Sequence, residues 1–121
     1  MIETSWPLTK AALRYGDAPA LLGNPTSYSY RDYDERARVA AAALTRAGIG
    51  RGDRVGVLAI PNTQLPILLM GCFQLGAVVC MLNTRIPRHG VAEQLHRIGA
   101  MALLVDAVFS MVRLDHMPTL R

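Results

Sequence analysis

Lysine is almost missing from this sequence: Lys10 stands alone beside twelve arginines. Glutamate is nearly as scarce, at three, which leaves little material for catalysis by paired carboxylates. The acidic cluster Asp32, Asp34 and Glu35 falls among arginines, where surface ion pairing is the default. There are two cysteines, Cys72 and Cys80, eight positions apart in apolar runs. That spacing excludes a disulfide framework and a zinc knuckle, and predicts reduced, buried thiols in a cytoplasmic protein. No five basic residues run together, so the net charge of +4 is a mixed solvated surface and predicts no nucleic-acid partner. The opening, MIETSWPLTK, has no apolar core of the kind a signal peptide needs.

What is present suits one α/β domain. At 121 residues, 51% of them hydrophobic, the chain can bury a core of its own, and long disorder is not expected. Ser5 is placed to cap a helix running to about Tyr15, with Pro7 in its first turn and Leu8, Ala11, Ala12 and Tyr15 on one face. Ala20–Gly23 and Ser27–Tyr30 read as short strands joined in a hairpin by Asn24-Pro25. The clearest helix is Arg31–Ala47, with Tyr33, Ala37, Ala40, Ala41 and Leu44 at helical spacing. Asp32–Arg36 and Asp34–Arg38 are i,i+4 pairs in the favourable order.

The stretch AGIGRGDRVGVLAI, residues 47–60, looks at first like a phosphate cradle. Such a loop follows a strand and opens a helix, so that the helix N-terminus faces the phosphates. Here the order is reversed. A helix ends at Gly48, where a left-handed cap belongs, and a strand, Arg54–Ile60, begins after Asp53. The glycines fit G-x-G-x-G, not G-x-G-x-x-G. The stretch therefore reads as a joint between helix and strand.

No charged residue occurs from Val55 to Thr84, and Leu65–Leu82 is an apolar run of membrane-spanning length. It divides instead into two elements. Pro61-Asn62 breaks the preceding strand, Thr63 caps a helix with Pro66 in its first turn, Gly76 ends that helix, and Ala77–Leu82 is a buried strand. No membrane span is expected. Beyond a loop at Asn83–Arg88, a helix covers about Gly90–Ile98, with Val91, Leu95 and Ile98 facing inward and Gly99 at its end. Ala102–Asp106 is a further strand, and Ala107–Arg113 reads as a last helix.

Alternating helices and buried strands predict a layered α/β fold. Its sheet is mostly parallel, with helices on both faces and a short N-terminal hairpin. Ligands in such sheets sit beyond the strand C-terminal ends, here near Ile60-Pro61-Asn62, Leu82-Asn83-Thr84 and Asp106. Asn83 and Arg85 are best placed to approach one, and turn formation explains them equally well. His89, Glu93 and His96 share a helix face, but no further ligand completes a metal set, so they read as a solvated stripe. Ser5, Ser27, Ser29 and Ser110 lie outside any nucleophile turn, and His116 lies in the tail. No catalytic, cofactor-binding or metal residue is nominated.

Five stretches in order carry a resemblance. They are Tyr28-Ser-Tyr-Arg-Asp-Tyr33, Ala47-Gly-Ile-Gly-Arg-Gly-Asp-Arg-Val55, Pro61-Asn62, Phe73-Gln-Leu-Gly-Ala-Val-Val-Cys-Met-Leu-Asn83 and Leu103-Leu-Val-Asp106. Together they resemble the beginning of the adenylate-forming (AMP-binding) enzymes, the acyl- and aryl-CoA synthetases. The resemblance runs from about Ala18 to the end. Met1–Pro7 and Asn83-Thr-Arg-Ile-Pro87 are similar to the o-succinylbenzoate–CoA ligases of menaquinone biosynthesis.

The resemblance implies a ligase that joins a carboxylic acid to ATP and passes the acyl-adenylate to coenzyme A, with magnesium. In that family a lysine-ending Ser/Thr/Gly-rich loop holds the triphosphate, acidic residues bind ribose and magnesium, and a lysine aids adenylation. Lys10 lies in no matching motif, and none of those stretches is found in these 121 residues. The expectation is an N-terminal portion of the large domain, truncated and inactive alone, with the missing remainder as partner. The alternative is a non-catalytic α/β binding or scaffold module that pairs with a separately encoded remainder. Exposed apolar surface further predicts self-association.

Overall fold

The computed structural model describes residues 6–23, 26–59, 62–83, 85–105 and 110–113. Its elements are α1 (Pro7–Tyr15), β1 (Pro19–Leu21), β2 (Tyr28–Ser29), α2 (Tyr30–Arg46), β3 (Arg54–Leu58), α3 (Gln64–Leu75), β4 (Val78–Met81), α4 (Arg88–Ile98), β5 (Ala102–Val105) and β6 (Ser110–Arg113). β1 and β2 pair antiparallel. The main sheet has the order β4-β3-β5-β6. β3 runs parallel to both β4 and β5, with Arg54 beside Val78 and Val55 beside Ala102.

The alternation of β3 divides the sheet into two faces. Val55 and Val57 are fully buried and join Leu104, Leu44 of α2, and Leu68 and Cys72 of α3 in one cluster. Each such Val or Leu contributes about 1.5–3 kcal/mol by leaving water. Gly56 points to the opposite face, where a Cβ would come within 2.4 Å of Leu95 Cδ2 on α4. Leu95 is itself 2% exposed. Helices therefore cover both faces, as the sequence predicts.

α2 and α3 touch through small residues. A Cβ on Gly71 would lie 2.9 Å from Ala40 Cβ, 3.1 Å from Ala41 N and 3.2 Å from Ala37 O. The long apolar run resolves into α3 and β4, separated by Gly76, but β4 is not the buried strand expected: it ends the strand order among the described residues, with Val78 47% and Met81 52% exposed. Among the described residues no helix is long and apolar enough to cross a membrane.

Several expectations are corrected. Ser110–Arg113 is a strand, not the end of a helix, and pairs antiparallel with β5, Leu103 opposite Val112. Only four residues separate it from β5, and that open edge offers a complete row of backbone partners. The rest of the expected helix, residues 107–109, lies outside the described residues. Tyr15 was expected on the buried face of α1, yet it is 50% exposed and its ring lies 5.3 Å from that of Tyr30. α4 starts at Arg88, two residues early, so His89 is helical. Cys72 is buried, whereas Cys80 is only partly so, and both thiols are free. Ser5, Asn24-Pro25, Ile60-Pro61, Asp106 and His116 lie outside the described residues.

Candidate functional site

The sheet rule directs attention to the strand C-terminal ends. Beyond β3 the chain reaches Asn62, whose Oδ1 accepts the N–H groups of Gln64 at 2.9 Å and Leu65 at 3.0 Å. Asn62, rather than the expected Thr63, therefore supplies the side-chain cap of α3. Thr63 makes no such bond. Asn is among the best capping residues, so this signal was present in the sequence. Gln64 Nε2 donates to Tyr28 Oη at 2.8 Å, and Tyr33 Oη donates to the Pro66 carbonyl at 3.2 Å. The start of α3 is thus held by both β2 and α2.

Beside this turn lies a cavity of about 530 Å³ lined by Ala20, Leu21, Leu22, Gly23, Asn62, Thr63 and Pro66. Its hairpin wall is closed by Ser27, whose Oγ accepts the Gly23 N–H at 3.1 Å. A second hollow of about 460 Å³ lies between α2 and α3 and includes Glu35, Arg36, Val39 and Gln64.

Beyond β4, Leu82 N–H still bonds Val57 O at 2.9 Å. Asn83 Oδ1 then accepts the Arg85 N–H at 2.9 Å. Asn83 is therefore a turn-maker, and Arg85 is exposed beyond it. The structure brings these two together at the sheet edge.

The remaining candidates separate. In the glycine stretch, Gly50 N–H donates to Asp53 Oδ2 at 2.7 Å, so a carboxylate of the chain itself stands where a phosphate oxygen would have to be. Gly48, at φ 94°, closes α2: its N–H bonds Thr45 O, and the next N–H, of Ile49, bonds Leu44 O, both at 3.0 Å. Those two bonds are the ones that end a helix in a left-handed residue. The joint reading holds.

His89, Glu93 and His96 all lie on α4 and are exposed, but Glu93 accepts from Arg97 Nη2 at 2.8 Å. Among the described residues no three His, Cys, Asp or Glu side chains gather as a metal site. Ser29 caps α2 by accepting the Asp32 N–H at 3.1 Å.

Sequence reasoning missed one buried polar group. Asp34, expected on the surface, is 6% exposed. Thr9 Oγ1 of α1 donates to its Oδ1 at 2.9 Å, and Arg38 Nη2 lies 2.6 Å from its Oδ2 and 3.3 Å from Thr9 Oγ1. The i,i+4 spacing revealed the ion pair but not the third partner from a remote helix. The other expected pair is not formed among the described residues: Arg36 lies over the Tyr28 ring at 4.6 Å instead. Burial pushes the Cys72 thiol up to about 11 and raises the Tyr33 hydroxyl.

The side chains at this edge do not match a triphosphate or magnesium site. The amide oxygens of Asn62 and Asn83 are engaged by backbone, Asp53 is turned into its own loop, and Lys10 is on α1.

Comparison with known proteins identifies the framework. The sequence model of the AMP-binding enzyme family matches residues 8–120. A long-chain-fatty-acid–CoA ligase of Yersinia pestis is 35% identical over 102 residues, 83% of this chain and 18% of that protein. Probable acyl-activating enzyme 8 of Arabidopsis thaliana is 34% identical over 104 residues, 85% and 19% respectively. The inhibitor-bound N-terminal domain of FACL13 from Mycobacterium tuberculosis superposes with a TM-score of 0.79 at 27% identity, covering 87% of this chain and 27% of that one. O-succinylbenzoate CoA synthetase from Bacillus subtilis gives 0.80 at 23% identity, covering 91% and 29%, a likeness of fold. The chain thus spans under a fifth of the length of these two curated relatives, and it belongs to the AMP-binding enzyme family.

Proposed function

We propose that this chain is the N-terminal portion of the large domain of an ATP-dependent carboxylic acid–CoA ligase. The observation that carries the reading is the family match over residues 8–120, joined to CoA-ligase relatives about one-third identical. The complete enzyme would join an acid to ATP as an acyl-adenylate, releasing pyrophosphate, and transfer the acyl group to the thiol of coenzyme A. In this reading the 121 residues build the sheet edge against which the acid pocket is assembled. They are inactive alone, because they gather no donors for the transferred phosphate charge. Free thiols at Cys72 and Cys80 support a reducing, cytoplasmic setting.

The test is acid-dependent exchange of pyrophosphate into ATP. It is run on the chain alone and on the chain mixed with the remaining portion of a relative. The acids are a long-chain fatty acid and o-succinylbenzoate, the two classes named for similar proteins. Exchange only in the mixture is expected, and the acid that supports it assigns the substrate class. Robust exchange by the chain alone would overturn the inactivity, and no exchange in any mixture would count against the ligase reading.

A further inference from the structure

We propose that α1 is a hinged flap: it lifts from α2 and melts as one unit while the sheet and the other helices stay folded, with Thr9 as its latch and residues 16–18 as its hinge.

The helix itself is weakly built. Its nine residues fall short of the ~12–15 that a helix needs to persist alone in water, so α1 melts once it leaves α2. No side chain caps its N-terminus, and it buries Leu8, Thr9 and Ala12 alone. Leu13 is 76% exposed. None of these residues belongs to the core cluster of Val55, Val57 and Leu104. The sheet therefore keeps its own apolar contacts when α1 departs.

A polar latch closes the flap. Thr9 Oγ1 donates to Asp34 Oδ1 at 2.9 Å and accepts from Arg38 Nη2 at 3.3 Å. Asp34 and Arg38 both stand on α2 and pair with each other at i,i+4, so their ion pair needs nothing from α1. Closure also strands donors. Trp6 Nε1, just ahead of α1, and Arg38 Nε are buried without an acceptor among the described residues. Such groups oppose the closed state, and lifting α1 lets water reach them.

The far end of α1 is held separately. Gly16 has φ 49°, a conformation glycine adopts freely. Gly16 O accepts the Arg31 N–H and Ala18 O the Tyr30 N–H, both at 3.0 Å, and Asp17 pairs with Arg31. These bonds tie the connection to the first turn of α2 and use no residue of α1, so it stays in place while the helix opens.

Hydrogen exchange of the 121-residue chain, read by NMR as protection factors in low, rising urea, tests this. The amides of Lys10 and Gly16, bonded to Trp6 O and Ala12 O, should share one protection factor. It should be about a hundredfold or more below that of Met101, bonded to Arg54 O, as for a local opening. It should also change little with urea, because the opening exposes little surface. The Tyr30 and Arg31 amides should stay with Met101. Thr9→Val removes the latch hydroxyl and should lower α1 protection about tenfold. Val57→Ala should lower Met101 protection and leave α1 unchanged. Equal protection of α1 and Met101 overturns the proposal. So does Gly16 staying as protected as Met101 while Lys10 exchanges, which is fraying from the chain end. Unchanged α1 protection in Thr9→Val, or a loss there in Val57→Ala equal to that at Met101, also overturns it.

Discussion

Gly71→Ala should destabilise the chain, although alanine is the better helix former. The substitution adds one methyl group to α3 at its closest approach to α2. There the new carbon would sit 2.9 Å from Ala40 Cβ, 3.1 Å from Ala41 N and 3.2 Å from Ala37 O. Two of these three neighbours are backbone, so no rotamer change relieves them, and the helices must move apart. Overpacking of this kind costs typically about 1–3 kcal/mol. The gain in helix propensity offsets at most about 1 kcal/mol. With the full offset a net loss of up to about 2 kcal/mol follows, read as a lower urea midpoint at unchanged slope. Gly90→Ala supplies the opposite sign. Gly90 is also helical, but its added Cβ would meet only Ile86 Cβ and Pro87 Cδ, both at 3.8 Å. Propensity then acts alone and stabilises by up to about 1 kcal/mol. Ala40→Gly combined with Gly71→Ala should recover part of the loss, because it removes the shortest contact and leaves the backbone ones. If Gly71→Ala unfolds at the parent midpoint or above it, the close approach of α2 and α3 is not what determines the sign.

Other variants probe the polar joints and the titrating groups. Asp34→Ala strands the partly buried Arg38 and the Thr9 hydroxyl, and should cost about 2 kcal/mol in urea unfolding, with Thr9→Ala costing about 1. Asn62→Ala removes the side-chain cap of α3 and should cost about 1 kcal/mol, whereas Thr63→Ala should cost less. Cys72 is expected to set an alkaline limit. Its folded thiol is raised to about 11 from an ordinary 9.0, so between those values the folded chain holds a proton that the unfolded chain has lost. The stabilisation is therefore complete below pH 9 and falls by up to about 3 kcal/mol as pH rises to 11. Tyr33, also raised, adds to the fall above pH 10, and Cys72→Ala should flatten the lower part of the curve.

The order of elements was legible because the punctuation is local. Gly48, Gly76 and Gly99 end helices by their own backbone conformation, and their neighbours need no remote partner to do so. The apolar run was divided correctly for the same reason: Gly76 turns the chain wherever the rest of the molecule lies. The errors fall where a remote partner decides. Ser110–Arg113 became a strand because the edge of β5 was open to it, and no feature of SMVR alone reports that edge. Asp34 is buried because Thr9 arrives from another helix, so an i,i+4 pair that looks solvated in sequence is two-thirds of an internal cluster. Arg36 left its expected partner for the face of Tyr28, again a residue outside its own helix.

The same division governs the site. Turn chemistry at Asn62 and Asn83 can be read from residue type, since each amide oxygen accepts backbone N–H groups within three positions. Whether such a turn also faces a ligand depends on what is packed opposite it, which no local pattern encodes. Chemistry is more separable still from framework in this family member. The five stretches hold mostly a helix-to-strand joint, the Ser29 and Asn62 caps, the edge strand β4 and part of β5. The family match over residues 8–120 therefore identifies the framework without assigning any residue a catalytic role.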